Sequence, residues 1–315
     1  MTLPVNMQPV SRAPTALVAY ALLALTCLAW GSTWLVIKWG IHDLPPLTAA
    51  ALRFLVAGGV MAALAPWLVP REGGGRPPWS VVIVQAVCQF TLNYALVYYS
   101  ETVLPSGLVS VLWSVFPLLV ALGGHFVTKA ERLHARQWIG GLLAFGGVAL
   151  LFLTDVAHIS RDAIAWGLLV LLAPAAVTVS TLLIKQRAAG ASSILINRDS
   201  MLIGSALLFV LAFALERDQP RTFSPAALGS IAYLALVGSV FTFGVYMWLL
   251  RHLSAYLLSL TSFVTPVLAL SFGALVGGEL LTLHTLVGAA LVLMGVALTL
   301  KAARPLAARR ARSLA

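Results

Sequence analysis

The chain has 315 residues, of which 60% are apolar and only 10% are charged, whereas a soluble domain carries about 25% charged residues. This composition excludes an ordinary water-soluble enzyme, and it excludes a disordered chain, which requires low hydrophobicity. The formal net charge is +10, and the two cysteines, Cys27 and Cys88, are too few for a disulfide scaffold or a cysteine-rich metal site.

Ten apolar stretches follow one another along the chain, separated by polar or turn-forming residues. A hydrocarbon core of about 30 Å requires about 20 apolar residues per helix, and in lipid each backbone polar group must be bonded within its own segment. The stretches therefore predict ten transmembrane helices in an all-α polytopic membrane protein. These spans 1 to 10 occupy residues 16–37, 47–69, 80–99, 107–127, 138–153, 164–184, 200–215, 227–249, 255–276 and 283–300.

Lysine and arginine residues are divided unequally between the two sides of the membrane that ten spans define. Fifteen lie on the side of the termini and four on the other side, while Arg53 lies within span 2. Because cytoplasmic loops carry the excess of cations, both termini are predicted to be cytoplasmic, in a bacterial inner membrane. The basic tail is expected to contact anionic lipid headgroups rather than nucleic acid.

Internal similarity divides the chain into two halves. Residues 131–150 recur as residues 279–298 with the same glycine spacing, and Lys38 pairs with Lys185 at nearly the same offset. Since five is an odd number of spans, the second copy must enter the membrane from the opposite side. Two inverted five-helix repeats around a midplane site are a recurrent plan of secondary transporters.

Short motifs recur in order over both halves. They are Ala29-Trp30-Gly31-Ser32-Thr33-Trp34, Pro45-Pro46, Leu52-Arg53-Phe54, Pro105-Ser106-Gly107, Phe116-Pro117 and Glu131, followed by Ala255, Pro266 and Gly278-Glu279. In this order they resemble the EamA type of the drug/metabolite transporter superfamily over nearly the whole chain, with the exporter branch as the closest match. The resemblance implies ten helices, an inverted repeat and transport of small metabolites, and it does not fix the substrate.

The predicted organisation has five parts. They are an N-terminal cytoplasmic tail (1–15), a first five-helix EamA-like repeat (16–153), a linker (154–163), a second five-helix EamA-like repeat (164–300) and a basic cytoplasmic tail (301–315).

Polar and aromatic residues inside the apolar spans are the candidates for a substrate site. Gln85, Gln89 and Asn93 recur every fourth residue in span 3, on one face of a regular helix. Amides facing lipid would cost several kcal/mol, so this stripe is predicted to face protein or water. Hydrogen bonding between helices is the alternative for the amides, and bonding to the helix's own backbone is the alternative for the hydroxyls. The predicted substrate-binding residues are Trp30, Thr33, Gln89, Asn93, Trp113, Ser114, Thr178, Tyr246, Ser262 and Thr265.

Four further residues are predicted to have gating or structural roles. Pro117 and Pro266 lie near the middle of spans 4 and 9, where a proline removes a backbone hydrogen bond and displaces the carbonyl four residues earlier. Arg53 is a cation inside a span, which marks a functional residue by default. Arg198 enters span 7 at a comparable place and is predicted to be its pseudo-symmetric partner.

Carboxylates are absent from the middle of the spans, because Glu101, Glu131 and Glu279 all lie near span ends. Carboxylate relays commonly couple transport to protons, so uniport or facilitated diffusion is favoured, with coupling through end carboxylates or His125 left open. The sequence contains no G-x-x-x-x-G-K-[ST], H-E-x-x-H or G-x-S-x-G motif. It therefore predicts no ATP-driven motor, no enzyme activity, no metal and no cofactor.

The sequence as a whole predicts an exporter of small metabolites that works by alternating access through a cavity lined by spans 1, 3, 4, 6, 8 and 9. Amino acids or similar neutral or zwitterionic compounds are the expected substrates, with drugs as a further option. The expected partners are the small-molecule substrate and the lipid bilayer, without nucleic acid, and a monomer is one option for the oligomeric state. The alternatives are a lipid-linked-sugar flippase or metabolite importer, and a non-transporting membrane sensor or scaffold.

Overall fold

The computed structural model describes residues 15–104, 106–127, 134–153, 161–250, 252–259, 261–277 and 283–302. Several predictions concern residues outside these ranges. They concern the two tails, of which only Thr15, Lys301 and Ala302 are described, and linker residues 154–160. They also concern the motif residues Pro105, Glu131, Gly278 and Glu279.

Ten helical units follow one another within the described residues, and seven helices there are long and apolar enough to cross a membrane. The units are α1 (Ala16–Asp43), α2 (Pro46–Glu72), α3 (Trp79–Val84, Gln85–Leu92 and Asn93–Val103), α4 (Ser106–Trp113, Phe116–Leu122 and Gly123–Val127), α5 (Ala135–Leu153), α6 (Arg161–Val170 and Leu172–Arg187), α7 (Ser193–Leu215), α8 (Pro225–Ala235, Leu236–Phe241 and Thr242–Leu250), α9 (Ala255–Ser259 and Thr261–Gly277) and α10 (Leu283–Ala302). The chain is therefore an all-helical membrane protein.

The two midspan prolines have different effects on their helices. In α4 the helix breaks at residues 114–115, immediately before Pro117, as the loss of a backbone bond predicts. In α9, Pro266 lies inside a continuous helical segment. There the hydroxyl of Thr265 donates to the carbonyl of Ser262 at 3.5 Å, and this contact partly replaces the bond that the proline removes.

Helices α3 and α8 each contain a wide π-helical turn in the middle, at Gln85–Leu92 and Leu236–Phe241. In each turn a hydroxyl donates to the carbonyl five residues earlier, Thr91 at 2.9 Å and Ser239 at 2.8 Å. A π-helical turn holds an additional residue and often marks a functional site. One additional residue rotates the side chains that follow by about 100° relative to a regular helix.

Helices α2 and α7 pack side by side, and each caps the other. Glu216, just after α7, accepts hydrogen bonds from the backbone N–H groups of Leu47 at 2.7 Å and Thr48 at 2.9 Å, at the start of α2. Glu72, the last residue of α2, accepts from the N–H of Ser193 at 3.0 Å, at the start of α7. Since the end of each helix contacts the beginning of the other, the two helices run antiparallel.

Lys38 and Lys185 make equivalent contacts in the two halves. The ammonium of Lys38, near the end of α1, donates to the carbonyls of Glu101 and Leu104 at the end of α3. The ammonium of Lys185, near the end of α6, donates to the carbonyl of Leu250 at the end of α8, at 2.6 Å. A cation is favourable at a helix C-terminus, so each lysine ties the first helix of its half to the third.

Helices α5 and α10 touch through their backbones. A Cβ atom added at Gly295 would lie 2.5 Å from the carbonyl oxygen of Gly140 and 2.6 Å from the nitrogen of Ala144. Such close approach through small residues is typical of helix packing in membranes. This contact joins the last helices of the two halves.

Candidate functional site

A cavity of about 70 Å³ lies between α1, α3, α4, α6, α8 and α9. These are the six helices that the sequence predicts around the substrate. None of its lining residues in the described part of the chain is charged. The lining consists of Trp30, Thr33, Trp34, Ile37, Gln89, Asn93, Tyr94, Val97, Trp113, Phe116, Val177, Phe243, Tyr246, Thr261, Ser262 and Thr265.

The structure brings most of the predicted substrate-binding residues together in this cavity. Those that line it are Trp30, Thr33, Gln89, Asn93, Trp113, Tyr246, Ser262 and Thr265. Ser114 lies outside the lining, fully buried at the break in α4. Thr178 also lies outside it, and its hydroxyl donates to the carbonyl of Pro174 at 2.8 Å. This is the local backbone bond that commonly occupies hydroxyls in helices.

The remaining lining residues were missed by the sequence analysis. They are Trp34, Ile37, Tyr94, Val97, Phe116, Val177, Phe243 and Thr261. Most are apolar, and an apolar residue in a membrane span gives no sign of whether it faces lipid or a cavity. Trp34 had a usable signal, because it follows Trp30 by four residues and so lies on the same face of a regular helix.

Asn93 forms the polar centre of the cavity wall. Its amide oxygen accepts a hydrogen bond from the indole N–H of Trp113 at 2.8 Å, and its amide nitrogen donates to the carbonyl of Gln89 at 3.2 Å. These bonds fix the orientation of the amide and hold α3 against α4. The carbonyl oxygen of an amide has two lone pairs, so Asn93 keeps one acceptor position for a ligand.

Gln85 departs from the predicted stripe of amides. Gln89 and Asn93 line the cavity, but Gln85 does not. Gln85 is fully buried, and its amide nitrogen and oxygen have no hydrogen-bond partner among the described residues.

Aromatic rings form another part of the cavity wall. The ring of Trp30 lies with its centroid 5.5 Å from that of Phe243 and 5.3 Å from that of Tyr246. The buried hydroxyl of Tyr246 has no hydrogen-bond partner within the described part of the chain. Since buried polar groups are normally hydrogen-bonded, this hydroxyl is available to a ligand or to water.

Arg53 lies next to the cavity and is 1% exposed. Its guanidinium donates to the hydroxyl of Ser239 and to the carbonyl of Gly238, both at 2.9 Å in the π-helical turn of α8. The guanidinium carbon also lies 4.7 Å from the ring centroid of Tyr94, which lines the cavity. Arg53 therefore connects α2 and α3 with the irregular turn of α8.

Arg198 occupies different surroundings from those of Arg53. Its guanidinium pairs with the carboxylate of the adjacent Asp199 at 2.6 Å, and its side chain is 30% exposed. It borders a separate groove with Arg76 and Trp79. The neighbouring Asn197 is the buried polar residue at this place, and it donates to the carbonyl of Phe243 at 3.0 Å.

A bundle of apolar helices around an uncharged internal cavity is the architecture of a membrane transporter. The sequence matches the model of the EamA-like transporter family twice, over residues 17–153 and 164–301. The chain therefore belongs to the EamA-like transporter family, in the drug/metabolite transporter superfamily, and it is a non-enzymatic membrane transporter.

Similar proteins are known from several bacteria. The uncharacterized transporter YoaV of Bacillus subtilis is 27% identical over 270 residues, which cover 85% of this chain and 92% of that protein. The uncharacterized inner membrane transporter YedA of Escherichia coli is 27% identical over 267 residues, covering 83% of each chain. A protein crystal structure with 18% identity and a TM-score of 0.75 covers 92% of this chain and 99% of its own, so the two share a fold.

Proposed function

We propose that the chain exports small neutral or zwitterionic metabolites, such as amino acids, across a bacterial inner membrane by alternating access. The observation that carries this proposal is the uncharged cavity with aromatic walls and the amide of Asn93 at its centre. Family membership already favours transport over the sensor or scaffold alternative.

The proposed architecture is ten membrane spans in two inverted five-helix repeats, with both termini in the cytoplasm. The antiparallel contact between α2 and α7 supports the inversion. A two-fold axis that exchanges two antiparallel neighbours must be perpendicular to both, and for membrane-spanning helices it therefore lies in the membrane plane. The excess of cations on the side of the termini supports their cytoplasmic location. All six cavity helices belong to one chain, so a monomer suffices for transport.

The chemistry of the lining supports the proposed class of substrate. The rings of Trp30 and Phe243 offer an apolar surface, while Asn93 and the hydroxyl of Tyr246 offer hydrogen bonds to a polar end. Ligand sites commonly combine these two kinds of surface. A solute with a net charge would lose its hydration in this cavity without meeting an opposite charge, which favours solutes of zero net charge.

Replacing Asn93 by leucine is expected to lower efflux by about tenfold or more while the protein stays in the membrane. The substrate would lose the free acceptor position of the Asn93 amide, and a polar group left without its hydrogen bond costs about 1–3 kcal/mol, which is about tenfold in binding for each 1.4 kcal/mol. The measurement compares cells that overproduce wild type or Asn93→Leu for extracellular amino acids and for resistance to toxic amino-acid and purine analogues.

A matched control is Gln219→Leu, which removes an exposed amide in the loop between α7 and α8. This variant should behave as wild type. Equal efflux by wild type and Asn93→Leu at equal expression would remove Asn93 from the site. No compound-specific change with wild type across a broad panel would contradict the proposed exporter.

A further inference from the structure

Glu101 is a buried carboxyl group that the proposed transport site does not use. It lies near the end of α3, is 0% exposed, and neither of its carboxyl oxygens has a hydrogen-bond partner among the described residues. The sequence places this residue close to a span end, yet the folded protein encloses it completely. A buried carboxyl without a donor is unusual, because buried polar groups are normally paired.

The groups around Glu101 are two cations and two phenols. Lys38 of α1 and Arg53 of α2 act on the carboxyl electrostatically, and Tyr98 lies on its own helix nearby, with Tyr94 one turn further. Neither cation forms an ion pair with it in the described part of the chain. From α4 and α6, which also pack against this part of α3, no charged side chain acts on it within the described residues.

Both cations are bound to other groups. The ammonium of Lys38 donates to the backbone carbonyl of Glu101 rather than to its side chain. The guanidinium of Arg53 donates to Ser239 and Gly238 of α8. Both cations therefore act on the carboxyl group of Glu101 electrostatically, but neither forms an ion pair with it among the described residues.

The position of Glu101 connects it to the cavity. Val97 and Tyr94 line the cavity, and Glu101 follows them by one and two turns on the same face of α3. The carboxyl therefore lies between the cavity and the end of α3, where Leu104 receives the second hydrogen bond of Lys38.

Burial and the two cations act on this carboxyl in opposite senses. Removal from water favours the neutral acid, whereas Lys38 and Arg53 favour the carboxylate. A rearrangement that admits water to the site, or that moves Lys38 or Arg53, therefore changes the affinity of this carboxyl for a proton. A buried carboxyl whose surroundings change in this way is suited to bind a proton in one conformation of a transporter and release it in another.

We propose that Glu101 is a proton-binding site that couples efflux to the inward movement of a proton, an inference that rests on the proposed exporter function. One carboxylate oxygen binds a proton from the periplasmic side after the substrate has left. The O–H bond breaks again when cytoplasmic water reaches the site, and the proton leaves as hydronium. The charge change alters the attraction that Glu101 exerts on Lys38 and Arg53, and hence the contacts of α1 and α2 with α3.

Infrared spectroscopy tests the site without a substrate. Wild type and Glu101→Gln are reconstituted in lipid bilayers and titrated from about pH 5 to about pH 9, while the carbonyl stretch of protonated carboxylic acids is recorded. We expect a band that disappears on titration in wild type and is missing in the variant. A titration identical in the two proteins would overturn the proposal.

Everted membrane vesicles test the coupling. With an acidic interior and the membrane potential set to zero, wild-type vesicles should accumulate amino acids from a radiolabelled mixture, by at most about tenfold per pH unit for one-to-one exchange. Vesicles with Glu101→Gln should equilibrate the same amino acids without accumulating them. Gradient-driven accumulation by this variant would overturn the proposal.

Two further variants make the result specific. Glu101→Asp keeps a carboxyl and should retain both the infrared band and accumulation, even if Glu101→Gln folds poorly. Asp218→Asn removes an exposed carboxylate and should match wild type in both assays. If wild-type vesicles move no amino acid at all, the proposed amino-acid export fails, and the infrared titration still decides whether Glu101 binds a proton.

Discussion

Replacing Arg53 by methionine is expected to reduce transport by about tenfold or more while the protein remains folded in the membrane. Arg53 joins α2 to the π-helical turn of α8 and contacts the ring of Tyr94 in the cavity wall. Without the guanidinium, both Tyr94 and the π-helical turn lose the group that positions them, so the shape of the cavity changes.

The expected effect of this substitution on stability is small because two contributions oppose each other. Each short hydrogen bond from the charged group contributes about 1.5–3 kcal/mol. The two short bonds to Ser239 and Gly238 are lost, together with two long ones to the hydroxyls of Tyr98 at 3.4 Å and Tyr94 at 3.5 Å. Keeping an arginine at membrane depth costs about 2.5–3.5 kcal/mol on insertion scales, and methionine removes that cost. The melting temperature of purified protein and the efflux of whole cells measure the two quantities separately.

The matched control for this prediction is Arg217→Met, since the side chain of Arg217 is 68% exposed. It should change neither quantity. Wild-type efflux by Arg53→Met would show that the guanidinium has no part in transport. Disappearance of Arg53→Met from the membrane would instead show that its role is in folding.

Replacing Glu216 by alanine should mainly lower the stability of the protein, whereas Arg53→Met should mainly lower transport. Glu216 is fully buried and accepts three hydrogen bonds at the start of α2, two from backbone N–H groups and one from the hydroxyl of Thr48. The residue at the N-cap of α2 is Pro45, whose side chain makes no capping bond. Leaving these donors unpaired costs about 1–3 kcal/mol each, so we expect the free energy of unfolding to fall by about 3 kcal/mol or more.

Two companion variants sharpen this prediction. Glu216→Gln keeps an acceptor oxygen and should lose about half as much. Glu72→Ala removes the equivalent cap of α7 and should lose less than Glu216→Ala, because Ser192 remains as a side-chain cap. Unfolding in denaturant, followed by tryptophan fluorescence, measures the three variants. Equal stability of Glu216→Ala and wild type would contradict the assignment of Glu216 as the cap of α2.

The helical membrane fold could largely be predicted from the sequence, because an uninterrupted apolar stretch of about 20 residues indicates a membrane-spanning helix. The sequence predicted the polar and aromatic residues of the cavity, because such residues stand out in an apolar helix. Examples are Trp30, Asn93 and Tyr246. Phe243 and Val177 complete the same wall but are indistinguishable in sequence from residues that face lipid. Hydropathy therefore finds the polar part of a membrane site and misses its apolar part.

Other features escaped prediction because they depend on contacts between distant parts of the chain. The π-helical turns of α3 and α8 follow no periodicity that the sequence shows. The mutual caps of Glu72 and Glu216 form only when α2 and α7 lie side by side. The burial of Glu101 likewise depends on other helices, α1, α2, α4 and α6, packing against the end of α3.

The central claim, a substrate cavity that opens alternately to the two sides of the membrane, is tested most directly by labelling a cysteine inside it. Ser262→Cys would be introduced after replacing Cys27 and Cys88 by alanine, and treated with a membrane-impermeant thiol reagent in intact spheroplasts and in everted vesicles. Alternating access predicts labelling from both sides, slowed by amino acids that the protein exports. Labelling from neither side, or labelling that no exported compound slows, would contradict it.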